Sequence, residues 1–277
     1  MTTDGTPPGP YSRLDRPPLD GTALRTALVV EGSMWTDVVV TQATASTNAD
    51  ASVAAREGAA EGTIFTTHAQ TSGRGRLDRS WDSAPGSGLA VSVVLRPDAI
   101  SPARWVWLPL LVGLAVDATV RDLGVGSGLK WPNDVLVEDR KIAGILLERV
   151  QTPIGTAAVV GIGLNVSMSR EELPVPQATS LALEGATSTD RTVVLRSLLR
   201  NLEALYRAWI VTEGDPAAGI REAYLRRCVT IGSSVRVQMP DGSDLVGAAE
   251  AIDDHGRLVV DGHPVSAGDV THVRAAP

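Results

Sequence analysis

Residues 130–150 read KWPNDVLVEDRKIAGILLERV, and the pattern predicts a β-hairpin. The largely apolar stretches 135–137 and 142–148 flank the charged turn 138–140, as is typical of two antiparallel strands. The stretch also holds both lysines of a chain with 25 basic residues, the others being arginine. Because a lysine ammonium is a compact point charge, the pattern suggests a role that the wide, planar guanidinium cannot fill.

Strands and helices mix on either side of this hairpin, without the strict alternation that builds a parallel α/β sheet. The patterns predict further strands at 37–42, 64–69, 89–95 and 156–161, and helices at 21–31, 47–57, 105–123, 191–210 and 215–228. After residue 229 the stretches VRVQM, LVGAAEAI, RLVV and THVR are short strands joined by Gly- and Asp-containing turns. We therefore expect an α+β fold with a mixed or antiparallel sheet, followed by a small SH3-like barrel.

The same composition shifts divide the chain into three parts. Residues 1–20 are Pro-rich and aperiodic, and we expect a disordered tail there. Residues 21–228 contain the predicted sheet and helices. Residues 229–277 contain the short strands. The domain boundary is therefore predicted near Cys228.

Composition also excludes several classes of protein. Cys228 is the single cysteine, which excludes an internal disulfide and a cysteine-built metal site. The net charge of −7 argues against general nucleic-acid binding, because phosphate neutralisation requires clustered positive charge. We find no apolar run near the ~18 residues of a membrane span and no N-terminal signal pattern, so we expect a cytoplasmic protein with no membrane partner.

The segment 73–81, GRGRLDRSW, combines glycine with arginine. Glycines let the backbone approach an anion, while Arg74, Arg76 and Arg79 supply positive charge. A solvated turn or an RNA-contacting segment would read the same way. Neither a Walker loop nor a dinucleotide fingerprint fits, since no GK[ST] follows and no GxGxxG precedes a helix.

Two further stretches place polar groups at strand ends. In KWPND, Asn133 and Asp134 could hold a ribose or a magnesium-bound phosphate, and an Asx-type turn is the alternative. Lys141 is expected on the strand face shared with Ala143 and Ile145, and an exposed hairpin lysine is its alternative. Glycine within a strand often marks the close approach of a ligand or of another backbone, and Gly144 is predicted to lie in such a position. Gly161 and Gly163 in GIGLNV would likewise leave space, and a tight strand crossing is the alternative.

The order of the motifs closely resembles that of the biotin–protein ligase family. The motifs are STN at 46, AQTSGRGRLDRSW, KWPND, KIAGILLE and GIGLNV, and a small barrel follows them. The resemblance implies a fold like that of class II aminoacyl-tRNA synthetases. It also implies an enzyme that activates biotin with ATP to biotinoyl-5′-AMP, with Mg²⁺ accompanying ATP. The biotinoyl group would then pass to one lysine of a biotin carboxyl carrier domain of an acyl-CoA carboxylase.

The resemblance implies a role for each motif. Lys141 and Arg76 would be catalytic, with Lys141 bridging the biotin carboxylate and the α-phosphate. The biotin-binding residues would be Ser46, Thr47, Asn48, Gln70, Gly73, Arg74, Gly75, Arg76, Trp81, Lys141 and Gly144. The ATP-binding residues would be Arg74, Arg76, Arg79, Lys130, Asn133, Asp134, Lys141 and Asn165. No metal ligands are assigned.

Two other functions stay open at this point. Lipoate–protein ligase shares the fold and the adenylate chemistry, and a non-enzymatic biotin-sensing or nucleic-acid-binding module would belong to another class. Some relatives carry an N-terminal helix-turn-helix domain that binds DNA. About 36 residues precede the first predicted strand here, so we expect no DNA binding. The sequence leaves open whether the chain forms a homodimer.

Overall fold

The computed structural model describes residues 16–76, 79–239, 242–266 and 268–273. Its helices are α1 (Gly21–Leu28), α2 (Thr47–Arg56), α3 (Leu108–Asp122), α4 (Arg191–Val211) and α5 (Ile220–Arg227), with 3-10 turns at Pro102–Trp107 and Pro216–Ala218. Its strands are β1 (Asp37–Thr44), β2 (Thr63–Gln70), β3 (Gly73–Arg74), β4 (Ser80–Trp81), β5 (Gly88–Leu95), β6 (Gly128–Lys130), β7 (Asp134–Val137), β8 (Arg140–Thr152), β9 (Gly155–Asn165), β10 (Ser234–Gln238), β11 (Asp244–Ile252), β12 (Leu258–Val260), β13 (His263–Val265) and β14 (Asp269–His272).

A mixed sheet forms the centre of the described chain. Its strands follow the order β1-β2-β5-β9-β8-β7-β6. The pair β1 and β2 is parallel, and every other neighbouring pair is antiparallel. The parallel pair arises because α2 lies between β1 and β2 in the chain and returns it to the same end of the sheet. The predicted α+β fold with a mixed sheet is confirmed.

Helices cover both faces of this sheet. On one face α3 and α4 pack on the large apolar core, which includes Trp105, Trp107 and the leucines of both helices. On the other face α2 lies close to the strands, because its inward residues Ala51 and Ala55 are small. Burial of these apolar surfaces is the main stabilising contribution to the fold.

The segment that contains α3 is the most notable apolar stretch of the described chain by length and composition. Residues 102–122 are long and apolar enough to cross a membrane, the one such helix in the part of the chain that the structure describes. The expectation that no segment approaches a membrane span is therefore wrong, because this segment is long and apolar enough. Most of this helix is buried inside the protein, as is typical of a core helix.

The predicted hairpin at 130–150 is formed by β7 and β8, which are joined by a turn at Glu138 and Asp139. The register shifts from Val135 opposite Ala143 to Leu136 opposite Lys141, so one extra residue lies in β8. Such a bulge interrupts the alternation of side chains between the two faces. The expectation that Lys141 shares a face with Ala143 is therefore wrong, since its side chain lies on the face of Gly144.

The C-terminal strands form a separate antiparallel sheet in the order β13-β12-β11-β10-β14, in agreement with the predicted SH3-like barrel. Two tryptophans of the larger part bind its β11–β12 turn. The indole N–H of Trp107 donates to the carbonyl of Asp254 at 2.9 Å, and that of Trp131 donates to the carbonyl of Gly256 at 2.9 Å. The barrel is thereby held beside the KWPND segment.

The N-terminal residues that the structure describes are packed rather than free. Arg16 is buried and pairs with Glu172, and its guanidinium also donates to the carbonyl of Ser167 at 2.6 Å. Leu19 is buried, and Asp20 caps α1 by accepting from the backbone of Ala23. The disordered tail predicted for residues 1–20 is therefore wrong for 16–20. Residues 1–15 lie outside the described part.

Candidate active site

A pocket opens at one end of the mixed sheet, on the face that carries α2. It brings together the start of α2, the end of β2, the arginine- and glycine-rich segment, and residues from β7, β8, β9 and β14. The lining residues are Ser46, Thr47, Asn48, Gln70, Arg74, Gly75, Arg76, Arg79, Ser80, Trp81, Ala90, Asn133, Asp134, Lys141, Gly144, Ile145, Leu146, Gly161, Ile162, Gly163, Gly268 and Asp269.

Neutral hydrogen-bonding groups occupy the inner part of the pocket. Ser46 is the N-cap of α2, and its hydroxyl accepts from the backbone N–H of Ala49 at 3.4 Å. The side-chain oxygen of Gln70 accepts from the backbone N–H of Thr47 at 2.9 Å and lies 3.3 Å from the Thr47 hydroxyl. This arrangement fixes which groups donate and which accept before a ligand arrives. It suits a small neutral polar ring.

Asn48 is held from two sides. The hydroxyl of the buried Ser92 donates to Asn48 Oδ1 at 2.6 Å, and Asn48 Nδ2 donates to Glu148 Oε2 at 2.8 Å. A side chain at Gly161 would overlap Asn48 Oδ1. Gly161 thus leaves space for Asn48, rather than directly for a ligand as its place in the GIGLNV motif suggested.

The indole of Trp81 covers a flat patch of the sheet made by two glycines. Gly144 and Gly163 lie opposite each other on β8 and β9. A Cβ at Gly163 would overlap the Trp81 ring, and a Cβ at Gly144 would come within 3.2 Å of it. The glycines are therefore required for Trp81 to lie in the pocket, where the Lys141 ammonium is 5.6 Å from the ring centroid.

Positive charges surround the outer part of the pocket, and most of them are already paired. Lys141 Nζ lies 2.6 Å from Asp134 Oδ1, and Arg74 lies 3.4 Å from Glu148 Oε1. Arg79 forms an ion pair with Asp269 of the barrel, which raises the pKa of the arginine chiefly through the hydrogen bond between them. An anionic ligand must compete with these carboxylates, and its own charge must replace theirs.

Arg76 differs from these three cations. Within the described residues its hydrogen-bond partner is a neutral group, the Asn133 side-chain oxygen at 3.0 Å. Burial lowers the pKa of the Arg76 guanidinium, and the nearby carboxylates of Asp134 and Asp269 offset part of that effect. The guanidinium remains charged near neutral pH because arginine titrates far above it. A partly desolvated cation of this kind attracts an anion more strongly than an exposed one.

Two of the predicted nucleotide-binding residues lie away from the pocket lining. Asn165 is buried, and its amide donates to the carbonyl of Thr179 at 2.8 Å. Lys130 is on β6 and close enough to His272 of the barrel to lower the pKa of that imidazole, after the larger effect of burial. Their predicted contacts with ATP stay predictions.

Sequence reasoning missed the contribution of the barrel. Gly268 and Asp269 line the pocket although Asp269 is 190 positions from its partner Arg79. It also missed Ser92 and Glu148, which hold pocket residues from outside. Short-range motifs carry no signal for contacts of this separation, because only the tertiary fold brings the residues together.

Comparison with known proteins agrees with this geometry. The family model described as "Biotin/lipoate A/B protein ligase family" matches residues 40–165, and "Biotin protein ligase C terminal domain" matches residues 230–273. The biotin–[acetyl-CoA-carboxylase] ligase of Mycobacterium tuberculosis is 43% identical over 94% of this chain and 97% of its own length. The chain belongs to the biotin–protein ligase family. The bifunctional ligase/repressor BirA of Bacillus subtilis is 32% identical over 86% of this ligase and 72% of that protein.

Solved structures show the same fold as this ligase. The biotin protein ligase from Aquifex aeolicus in complex with biotin and ATP has a TM-score of 0.73, with 24% identity over 87% of this chain and 100% of that chain. The biotin protein ligase from Leishmania major in complex with biotinyl-5-AMP has a TM-score of 0.58, with 20% identity over 87% of this chain and 99% of that one.

Of the described residues that line the ligase pocket, two carry a carboxylate, Asp134 and Asp269. Among the described residues no group of three or more His, Cys, Asp or Glu side chains is placed to hold a metal ion. Mg²⁺ usually binds one or two carboxylates together with substrate phosphates, so the pocket fits an ion that arrives with ATP. Asp134 is the lining carboxylate beside Lys141 that could contribute a ligand.

Proposed function

We propose that this chain activates biotin with ATP to biotinoyl-5′-AMP and then transfers the biotinoyl group to a lysine of a biotin carboxyl carrier domain. The proposal rests on a single pocket that has a neutral polar half and a cationic half. Neutral donors and acceptors at Ser46, Thr47 and Gln70 suit the ureido ring, and the cations Arg76 and Lys141 suit the carboxylate and the α-phosphate.

In the first step a biotin carboxylate oxygen attacks the α-phosphorus of ATP. A new oxygen–phosphorus bond forms, the bond from the α-phosphorus to the bridging oxygen breaks, and pyrophosphate leaves. Both reactants are anionic, so positioning and charge neutralisation supply most of the rate enhancement. Lys141 would leave Asp134 and lie between an oxygen of the biotin carboxylate and an oxygen of the α-phosphate, while Arg76 would hold the phosphate. Mg²⁺ bound to ATP would supply further neutralisation.

In the second step the amine of the carrier lysine attacks the carbonyl carbon of the mixed anhydride. The carbon–nitrogen bond forms, the bond to the phosphate oxygen breaks, AMP leaves, and the amine loses a proton. The anhydride also reacts with water and with other amines, so the pocket must retain it until the carrier arrives. Arg76 and the indole of Trp81 would cover it in this pocket.

The test is transfer of labelled biotin, with ATP, onto a purified carrier domain. Labelling of a single carrier lysine is expected, and replacing that lysine by arginine should abolish it. Lipoate–protein ligase is the alternative within the same family model, and the relatives named above favour biotin. Pyrophosphate release with each acid separates the two, since a lipoate ligase would respond to lipoate.

Several expectations remain predictions beside this proposal. They include a cytoplasmic location, the absence of membrane and DNA partners, and the roles of Lys130 and Asn165 in ATP binding. The boundary at residue 228 between the catalytic part and the barrel is another. Weak binding to DNA at low salt would favour the nucleic-acid-binding alternative, and a sedimentation measurement would show whether the chain forms a homodimer.

Ligand binding should protect the arginine- and glycine-rich segment 71–81 from trypsin. Arg74 and Arg79 are exposed, and both line the pocket, so bound ligand should cover the cleavage sites. We expect biotin to slow cleavage after these residues and the adenylate to slow it further. Ordering of the segment should reduce the binding free energy by about 1–2 kcal/mol for each residue that becomes fixed. Lipoate at equal concentration is the control. Equal cleavage rates with and without biotin would contradict this expectation.

Replacement of Gly163 by alanine should displace Trp81 from the pocket. The added Cβ would overlap the indole. We expect biotin affinity to fall about tenfold, which corresponds to about 1.4 kcal/mol. Gly126→Ala is the matched control, because a Cβ there meets nothing within 4 Å. Calorimetric titration with biotin measures both, and equal affinities for the two variants would show that Trp81 does not contribute.

A further inference from the structure

Glu148 lies behind the pocket, between two of its lining residues. It is on β8, beyond the bulge and on the face of Gly144 and Leu146. Its side chain borders the groove outside segment 71–81 rather than the pocket itself. Glu148 is the last residue of the KIAGILLE motif, and the resemblance implied no role for it.

One oxygen of Glu148 holds the inner half of the pocket. Oε2 accepts the 2.8 Å hydrogen bond from Asn48 Nδ2, and Asn48 is almost completely buried. On its other side the Asn48 amide accepts from the hydroxyl of Ser92, so its orientation is decided by an acceptor and a donor on opposite sides. The carboxylate therefore selects which side of the amide faces β8.

The other oxygen of Glu148 faces the outer half of the pocket. Oε1 lies 3.4 Å from the guanidinium of Arg74 on β3. An isolated ion pair at a half-exposed site contributes little to stability, about 0–1 kcal/mol. The buried Asn48 amide already orients the Glu148 carboxylate, so Arg74 pairs with an acceptor whose position is fixed. A continuous path of contacts thus runs from Ser92 through Asn48 and Glu148 to Arg74.

We propose that Glu148 is a positioning residue that couples the ring-binding half of the pocket to the arginine- and glycine-rich segment. Its carboxylate fixes Asn48 with one oxygen and Arg74 with the other, and so holds β3 at the distance at which the segment covers the bicyclic ring. Glu148 touches neither reacting group, and its effect is on biotin affinity rather than on the chemical step. The inference rests on the function proposed above.

The test is Glu148→Gln in steady-state biotinylation of the carrier domain, which requires adenylate formation in every turnover. The amide oxygen of glutamine can still accept from Asn48, but its NH2 group then faces the guanidinium of Arg74 and cannot accept from it. We expect KM for biotin to rise about tenfold while kcat at saturating biotin stays within about twofold, the pattern of lost ground-state binding. Glu148→Asp, which keeps the charge, should recover part of the affinity. Glu222→Gln is the matched control, because Glu222 pairs with Arg226 on the exposed face of α5.

A double-mutant cycle separates coupling from a general structural effect. If Glu148 acts through Arg74, then Arg74→Gln alone raises KM, and adding Glu148→Gln changes KM by less than about twofold. Three outcomes would overturn the inference. Glu148→Gln could change KM equally in the parent and in the Arg74→Gln variant, either single variant could leave KM unchanged, or kcat alone could fall. If Glu148→Gln does not fold, Arg74→Gln tests the same pair from its exposed side. If the unsubstituted protein forms no adenylate, the proposed function is refuted. If it is active and Glu148→Gln has the same KM for biotin, the coupling alone is refuted.

Discussion

Lys141→Arg should lose adenylate formation nearly as completely as Lys141→Ala, by about 10²–10³-fold, a range typical of losing one preorganised charge contact. The ammonium lies 2.6 Å from Asp134 Oδ1, and its Nζ is 3.1 Å from the position of a Cβ on Gly144. The ring centroid of Trp81 lies 5.6 Å from the same ammonium. A guanidinium carries the charge but is too wide for this gap, so charge alone should not restore the reaction.

Biotin affinity is the control for that result. In the proposed mechanism Lys141 would contact the biotin carboxylate, whereas the ureido ring would bind in the separate half of the pocket, where Gln70 is paired with Thr47. We therefore expect calorimetric affinity for biotin to change much less than pyrophosphate release. A Lys141→Arg variant that keeps most of its activity would show that the bridging role is wrong and that Lys141 is an ordinary hairpin lysine.

Arg76→Gly should still form the adenylate but release it faster. Lys141 and the ATP-bound Mg²⁺ remain for the chemical step, while the cation that pairs with neutral Asn133 and is most available to the phosphate is lost. Removing one charged hydrogen bond of this kind costs about 1.5–3 kcal/mol, roughly 10–100-fold in retention. At high biotin and ATP we expect labelling of bystander proteins that the parent does not label.

Arg76→Lys is the control for charge, and it should retain the adenylate better than Arg76→Gly does. The measurements are the release rate of labelled adenylate and the labelling of an unrelated lysine-rich protein. A variant that forms no adenylate would place Arg76 in the chemical step. One that behaves like the parent would show that Arg76 does not retain the adenylate.

Much of the architecture followed from local pattern. The hairpin around Lys141, the helices at 105–123 and 191–210, and the short C-terminal strands are each specified by periodicity and turn residues close in the chain. The predictions of these elements succeeded because the signal and its consequence lie within a few residues of each other. The anion site indicated by the composition of 73–81 stays a prediction, and the structure places Arg74, Arg76 and Arg79 in the pocket lining.

The face of Lys141 could not be read from the sequence. Strict alternation placed it with Ala143 and Ile145, and the β-bulge opposite Val135 and Leu136 moved it to the face of Gly144. The bulge depends on how β7 and β8 pair. Pairing is decided by the two strands and their neighbours together, so alternation along one strand does not predict it.

The sequence by itself determined the α+β class, the order of motifs and the residue types that the chemistry requires. The tertiary structure decided which of those residues meet, which glycines leave space for Asn48 and Trp81, and that Asp269 of the barrel pairs with Arg79. It also placed Glu148 between Asn48 and Arg74. The reason is physical: secondary structure follows from short-range periodicity, whereas charge pairing and close packing depend on distances that only the folded chain defines.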